Sequence, residues 1–170
     1  MEIKALEGDI LSLTSEPGFQ DAIRVLGKKT TILMQCLENT ELLILRGHIA
    51  AEFFLNELIK RYLPNEGAIK LNEFSFAKKL AIVDSFSVID ADVIGFIKKL
   101  NSLRNKCAHT LEYRISDIDV NGLGNLLPQK VYDNAKSKDI NLTTMNLLSS
   151  VLVDLAFVTY TLKKNPSTII

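Results

Sequence analysis

Apolar residues recur along most of this chain at intervals of three and four, the period of a helix with one buried side. From Asn39 onward, Leu42, Leu45, Ile49, Phe53 and Leu58 recur at helical spacing, which predicts a long helix to about Leu63, where Pro64-Asn65-Glu66-Gly67 stops it. Phe76, Leu80, Val83 and Ile89 predict another from about Glu73 to Val88. Asp90 is placed as the N-cap of a helix carrying Val93, Ile97, Leu100 and Leu103 and reaching about Glu112 or Ile115. Leu147, Val151, Leu155 and Val158 predict a last helix from about Thr143 to Lys163. Ahead of these, Pro17-Gly18 opens a first helical region that Gly27 could interrupt. The stretch from Ser116 to Asn141 holds Gly122, Gly124 and Pro128, and its pattern predicts only a short helix near Gln129 to Lys136.

Strand patterns are weak throughout. The expected architecture is all-α, an up-and-down bundle of four main helices with an N-terminal helical extension. The 170 residues fit one domain, with a core over about 40–164 and an extension over about 1–38.

Composition narrows the partners. Lys plus Arg equals Asp plus Glu at 20 each, so no global field holds nucleic acid, and any RNA contact must come from a local patch. The mean hydropathy of +0.15 is high for a soluble monomer and favours a homodimer. No run reaches the roughly 18 apolar residues of a membrane span. The nearest, Val151 to Leu162, contains Asp154, and the N-terminal residues lack a signal peptide's basic start and apolar block. The expectation is a cytoplasmic protein with no membrane partner. Two cysteines, Cys36 and Cys107, make no disulfide framework.

Candidate chemistry gathers at Arg104-Asn105-Lys106-Cys107-Ala108-His109, which holds one of the two histidines. Arginine grips phosphate through a planar fork, and histidine can move a proton near neutral pH. On a helix Asn105 and His109 share a face, while Arg104 lies about 140° from His109 and can swing its long side chain back. Lys98, Lys99, Lys106 and Arg114 add positive charge nearby, with Lys106 a second phosphate-binding candidate.

The order Arg-Asn-x-x-x-His late in a helix of a small helical protein resembles the signature of the HEPN superfamily. Residues 74–83 (FSFAKKLAIV), an acid-capped turn and then residues 100–109 (LNSLRNKCAH) are similar to its mannitol-operon-repressor-like branch, as is Arg46-Gly47 in a long apolar helix. The likeness covers roughly 40–112. It implies a homodimer whose motif helices meet across a cleft. In its catalytic members it implies a metal-independent endoribonuclease, with Arg104 on phosphate, His109 in proton transfer and Asn105 holding the constellation. Such an enzyme could be a toxin or defence effector with a protein partner, an antitoxin or regulator. It needs no cofactor and no metal. The alternative is a non-catalytic regulatory or scaffold dimer resembling a transcriptional repressor or co-regulator. In that case Arg104 pairs with an acid such as Glu52 or Glu57, and His109 caps a helix end near Thr110.

Three further residues are supporting candidates. His48 lies four residues before Glu52, so the two can hydrogen-bond on one helix face, and Arg46 lies two residues before His48. They line the cleft or form a polar seam in the bundle. Glu52 could also orient a catalytic histidine. Zinc is disfavoured, because Cys107 and His109 point to different sides of a helix and no paired-ligand spacing exists. Asp117-x-Asp119-x-Asn121-Gly122 matches half a calcium loop, but its twelfth position is Pro128 instead of a bidentate Glu, so a solvated turn is expected. Gly122-Leu123-Gly124 lacks a preceding strand and a third glycine. Phe53, Phe54, Phe74, Phe76, Phe86 and Phe96 are expected in the core or a dimer surface.

Overall fold

The computed structural model describes residues 18–63 and 70–161, and among these it contains helices and no strand. Seven α-helices follow in order: α1 (Phe19–Met34), α2 (Thr40–Tyr62), α3 (Phe76–Ser85), α4 (Ala91–His109), α5 (Asp117–Gly124), α6 (Gln129–Ala135) and α7 (Ile140–Thr161). The protein is therefore all-α. Pro17 and the stop signal at 64–67 lie outside the described residues.

The apolar stripes expected for α4 and α7 turn into one core, but on α2 only Leu58 of the expected stripe does: Leu42 and Ile49 are 37% and 55% exposed, and the neighbouring face is the buried one. Leu43, Ile44, Phe54, Leu55 and Leu58 of α2, Phe96, Ile97, Leu100 and Leu103 of α4, and Leu147, Val151 and Leu155 of α7 are almost completely buried. Full burial of one such side chain contributes roughly 1.5–3 kcal/mol before ordering costs. The helix α2 packs on α7, α4 and α3, and α1 lies along α7. Contact between α2 and α7 is closest at Gly47, where a Cβ would stand 2.6 Å from the buried Leu148 side chain. By length and composition the Ile140–Tyr160 stretch of α7 could cross a bilayer, and 50% of it is buried inside the bundle.

Helix ends depart from the pattern where local chemistry overrides it. The helix α1 runs through Gly27 without a break. It begins instead at Gly18, whose φ of 95° belongs to the left-handed region that glycine enters without penalty. A side chain there would also collide with the Tyr160 backbone. The expected helix over Glu73 to Val88 is shorter. A 3-10 turn occupies Leu71–Glu73, and Ser75 then caps α3 by accepting the Lys78 N–H. Past the other end, Ser87 sits at φ 54°, the left-handed stop that usually takes glycine and is invisible when serine fills it.

Asp90 does occupy the N-cap position of α4, although its side chain makes no capping bond. The helix ends at His109 and does not reach Glu112 or Ile115, because Thr110 turns extended. Glu41 of α2 then accepts the Ile115 N–H at 3.0 Å, fastening the chain after the turn back onto the bundle.

The region from Ser116 to Asn141 holds two helices, not one. The expected α6 is present, and α5 occupies the half-calcium-loop sequence that was expected to be a solvated turn. The cause is a reciprocal cap: Ser116 Oγ accepts the Asp119 N–H while Asp119 accepts the Ser116 N–H at 3.1 Å. Asp119 thus ends as a helix cap, and Gly124 packs against the Tyr132 ring.

Gly18→Ala is expected to destabilise the protein by about 1–3 kcal/mol, because it combines overpacking with a strained φ. Gly27→Ala, mid-helix and open to solvent, should instead stabilise by roughly 0.5–1 kcal/mol. Urea unfolding of both variants checks the contrast.

Candidate functional site

The helices α2 and α4 run antiparallel. Glu41 lies near Cys107 at one level, and His48 faces Asn101 two turns along. His48 Nε2 donates to Asn101 Oδ1 at 3.0 Å, since a carboxamide oxygen can only accept, and this bond sets the imidazole tautomer. The ring stacks on Phe76 of α3 with centroids 4.0 Å apart. His48 is 5% exposed, so one of the two histidines is an interior group.

Beside it Lys79 Nζ donates to Glu52 Oε1 at 2.6 Å, with the lysine side chain 5% exposed and the glutamate 33%. Glu52 and His48 therefore do not bond each other as their spacing had suggested. A buried ammonium needs a carboxylate far more than a neutral imidazole does, and α3 delivers that ammonium across the seam. Glu52 is also unavailable to Arg104, and Glu57 is taken by Lys60 at 2.9 Å. The expected pairing of Arg104 with either acid is absent.

The motif residues follow on α4. Arg104 is half-buried and donates from Nη1 to Asn105 Oδ1 at 3.2 Å. It has no ion pair among the described residues. Asn105 and His109 are exposed. Lys106 is exposed as well, with Nζ 5.2 Å from the centroid of the Tyr113 ring. Arg46 is exposed on α2 and joins neither the seam nor the motif. Of the seven sequence candidates, then, His48, Glu52 and Arg104 come together around the seam. Asn105 adjoins them through Arg104, and Lys106 and His109 lie beyond, toward the helix end.

Electrostatics tie the seam to the motif. Burial holds the His48 imidazole below its ordinary 6.5, and the Arg104 cation pushes the same way. The Asn101 hydrogen bond and the Glu52 carboxylate oppose them without winning. Near neutral pH the buried ring is uncharged, which leaves Arg104 and Lys79 as the cations there. At the loop beyond the motif, burial and the neighbouring Asp119 carboxylate push the Tyr113 hydroxyl up to about 12. Burial likewise raises the Cys107 thiol, with Glu41 adding to it.

Sequence reasoning passed over Asn101 and Lys79. Both had a signal. Asn101, Asn105 and His109 recur at intervals of four, a polar stripe beside the apolar one. Lys79 sits on the apolar stripe of α3, between Phe76 and Val83, where a charge needs an explanation.

Two cavities lie away from the motif. A space of about 290 Å³ opens beside Asp90 and Val93 at the start of α4, and one of about 580 Å³ between α6 and α7 around Val131, Asn146 and Ser150. The 19 residues of α4 put the first of these about 27 Å from His109. Among the described residues no group of three or more His, Cys, Asp and Glu side chains could hold a metal ion. One copy of the chain thus presents the motif as an open corner, with cations and donors on a surface. No protein-family model, curated protein or solved structure matches the chain.

Two stability tests follow. A histidine whose folded value lies below its unfolded one contributes stability above about pH 6.5 that is lost as the pH falls. Wild type should therefore lose more melting temperature than His48→Gln between about pH 7 and about pH 5. Equal slopes would show that the buried ring does not titrate with unfolding. Glu52→Gln strands the Lys79 ammonium and should cost about 2–4 kcal/mol in urea unfolding, whereas Lys79→Met should cost less.

Proposed function

We propose that the protein is a metal-independent endoribonuclease that acts as a homodimer in the cytoplasm. In this reading α2, α3, α4 and α7 form the four-helix HEPN-like core and α1 is the N-terminal extension. The observation that carries it is the state of Arg104: half-exposed, held by Asn105, and without an acidic partner among the described residues. A structural arginine at a helix junction normally ends in a carboxylate, and the carboxylate of the seam, Glu52, is engaged by Lys79. Its free donors suit a planar anion such as phosphate.

Cleaving RNA without metal requires a base for the ribose 2′-hydroxyl, an acid for the leaving 5′-oxygen, and positive charge around the crowded phosphate. The 2′-oxygen attacks phosphorus, the bond to the 5′-oxygen breaks, and a 2′,3′-cyclic phosphate remains. One proton passes to a base, and another is given to the departing oxygen. Each chain supplies a single exposed motif histidine, His109. A two-fold dimer supplies both roles and two Arg104 groups in one groove. The surface near the motif suits such pairing: Leu111, 94% exposed, follows His109 by two residues, and Ile118, 82% exposed, lies just after it. Covering them would bury apolar area next to the phosphate corner. An antitoxin-like or regulatory protein that occupied the same surface would silence the enzyme.

The second reading is the regulatory or scaffold dimer, similar to a transcriptional co-regulator. The observation in its favour is the buried seam, where His48, Asn101, Glu52 and Lys79 satisfy one another without a substrate.

The deciding assay is total RNA with purified protein and EDTA. Wild type is expected to cut it and leave cyclic-phosphate ends. His109→Ala should lower the rate by at least about 100-fold while the dimer, followed by light scattering, persists. Arg104→Ala should do the same with little change in melting temperature. Intact RNA under these conditions with the dimer present would leave the co-regulator reading, and a strictly monomeric protein would overturn both.

A further inference from the structure

Asn101 belongs to neither the motif nor the list of supporting residues, yet it stands at the edge of the corner. On α4 it lies one turn before both Arg104 and Asn105. Seen down the axis, Arg104 falls about 60° to one side of it, with Asn105 about 40° and His109 about 80° to the other. Along the axis it lies about 4.5 Å before Arg104 and about 12 Å before His109, so it borders the Arg104 end of the corner.

Its carboxamide is also oriented. The oxygen is spent on His48, and a buried ring stacked on Phe76 has no freedom to follow a rotating partner. That fixes the other half of the group. The amide nitrogen carries two donors, and no other described residue engages it. A half-buried side chain with its acceptor bound and its donors unspent, beside an unpaired guanidinium, is a ready anion contact.

We propose that Asn101 is a second phosphate-binding residue, positioned by His48, and that with Arg104 it grips the backbone of single-stranded RNA. The inference rests on the ribonuclease reading and extends it to a substrate class. Two physical points favour the single strand. Attack by a 2′-hydroxyl needs the 2′-oxygen in line with the leaving 5′-oxygen, which a regular A-form duplex does not allow. Duplex readers span about 16 base pairs across successive grooves, which demands a long basic surface. Here the net charge is zero and Lys98 is paired with Asp84 at 3.3 Å, so no long basic surface extends from Arg104. Such a corner fits one or two phosphates of a flexible strand. His48 acts only through Asn101 and makes no contact with RNA.

The test uses the inactive full-length His109→Ala protein and a fluorescent single-stranded RNA oligonucleotide, read by anisotropy, together with cleavage by proteins that retain His109. Asn101→Asp keeps an acceptor for His48 while deleting the donors, so the fold should persist and affinity should fall at least about tenfold, with KM rising in the active background. If Asn101→Asp fails to fold, Asn101→Ala replaces it. His48→Gln, which can still donate to Asn101, should keep near-parental affinity, and His48→Leu should lose it. Arg104→Ala should flatten the dependence of log affinity on log salt by about 0.7, while the neutral Asn101→Ala leaves that slope unchanged. The same oligonucleotide as a duplex should bind at least about tenfold more weakly.

If RNA is bound and cut but folded Asn101→Asp matches its parent, the inference falls and the ribonuclease reading stands. Equal binding of duplex and single strand removes the substrate class. If wild type neither binds nor cuts single-stranded RNA, both readings fall together.

Discussion

An ammonium group sits almost sealed at the junction of α2 and α3, and the arrangement of the corner depends on how it is neutralised. Removing such a charge from water costs several kcal/mol unless a carboxylate meets it. Glu52 meets Lys79 at 2.6 Å, and that commitment propagates. With Glu52 taken, His48 turns to Asn101 and lies against Phe76. Arg104, with no ion pair among the described residues, donates to Asn105.

Function, in this view, is placed where packing stops supplying partners. The apolar layers of α2, α4 and α7 close the interior up to Leu103, and α4 runs on for one and a half turns past it before Thr110 ends the helix. Those last turns carry Arg104, Asn105, Lys106 and His109, supported below by a satisfied polar seam and open above. Rigid support beneath exposed donors is what phosphate recognition needs, since donors fixed before binding lose little entropy on contact. The Glu41 bond to the Ile115 N–H holds the following loop to the bundle and keeps the helix end exposed. Leu111, two residues past the helix end, is 94% exposed.

Periodicity made most of the scaffold legible. The stripe from Leu42 to Leu58 and the one from Val93 to Leu103 each became a long helix, and Gln129 to Lys136 became α6. Where expectation failed, a single polar residue had decided the backbone. Ser116 and Asp119 cap each other and turn a presumed loop into α5. Ser87 takes a left-handed stop, and Thr110 ends α4 early. All are decided over a few residues, to which an average over a helical window is blind, and at Ser116 a side-chain hydrogen bond decides it.

By itself the sequence determined that the chain is helical, which faces of α4 and α7 are apolar, and that an arginine, an asparagine and a histidine share the end of one helix. Those properties depend on residues close in the chain, where a period of 3.6 fixes who lies beside whom. Only the tertiary structure decided how the charges pair: Glu52 with Lys79, His48 with Asn101, Arg104 with no acid. The reason is that pairing energies in a low-dielectric seam turn on ångström distances between groups 27 and 53 residues apart, which helical periodicity does not encode.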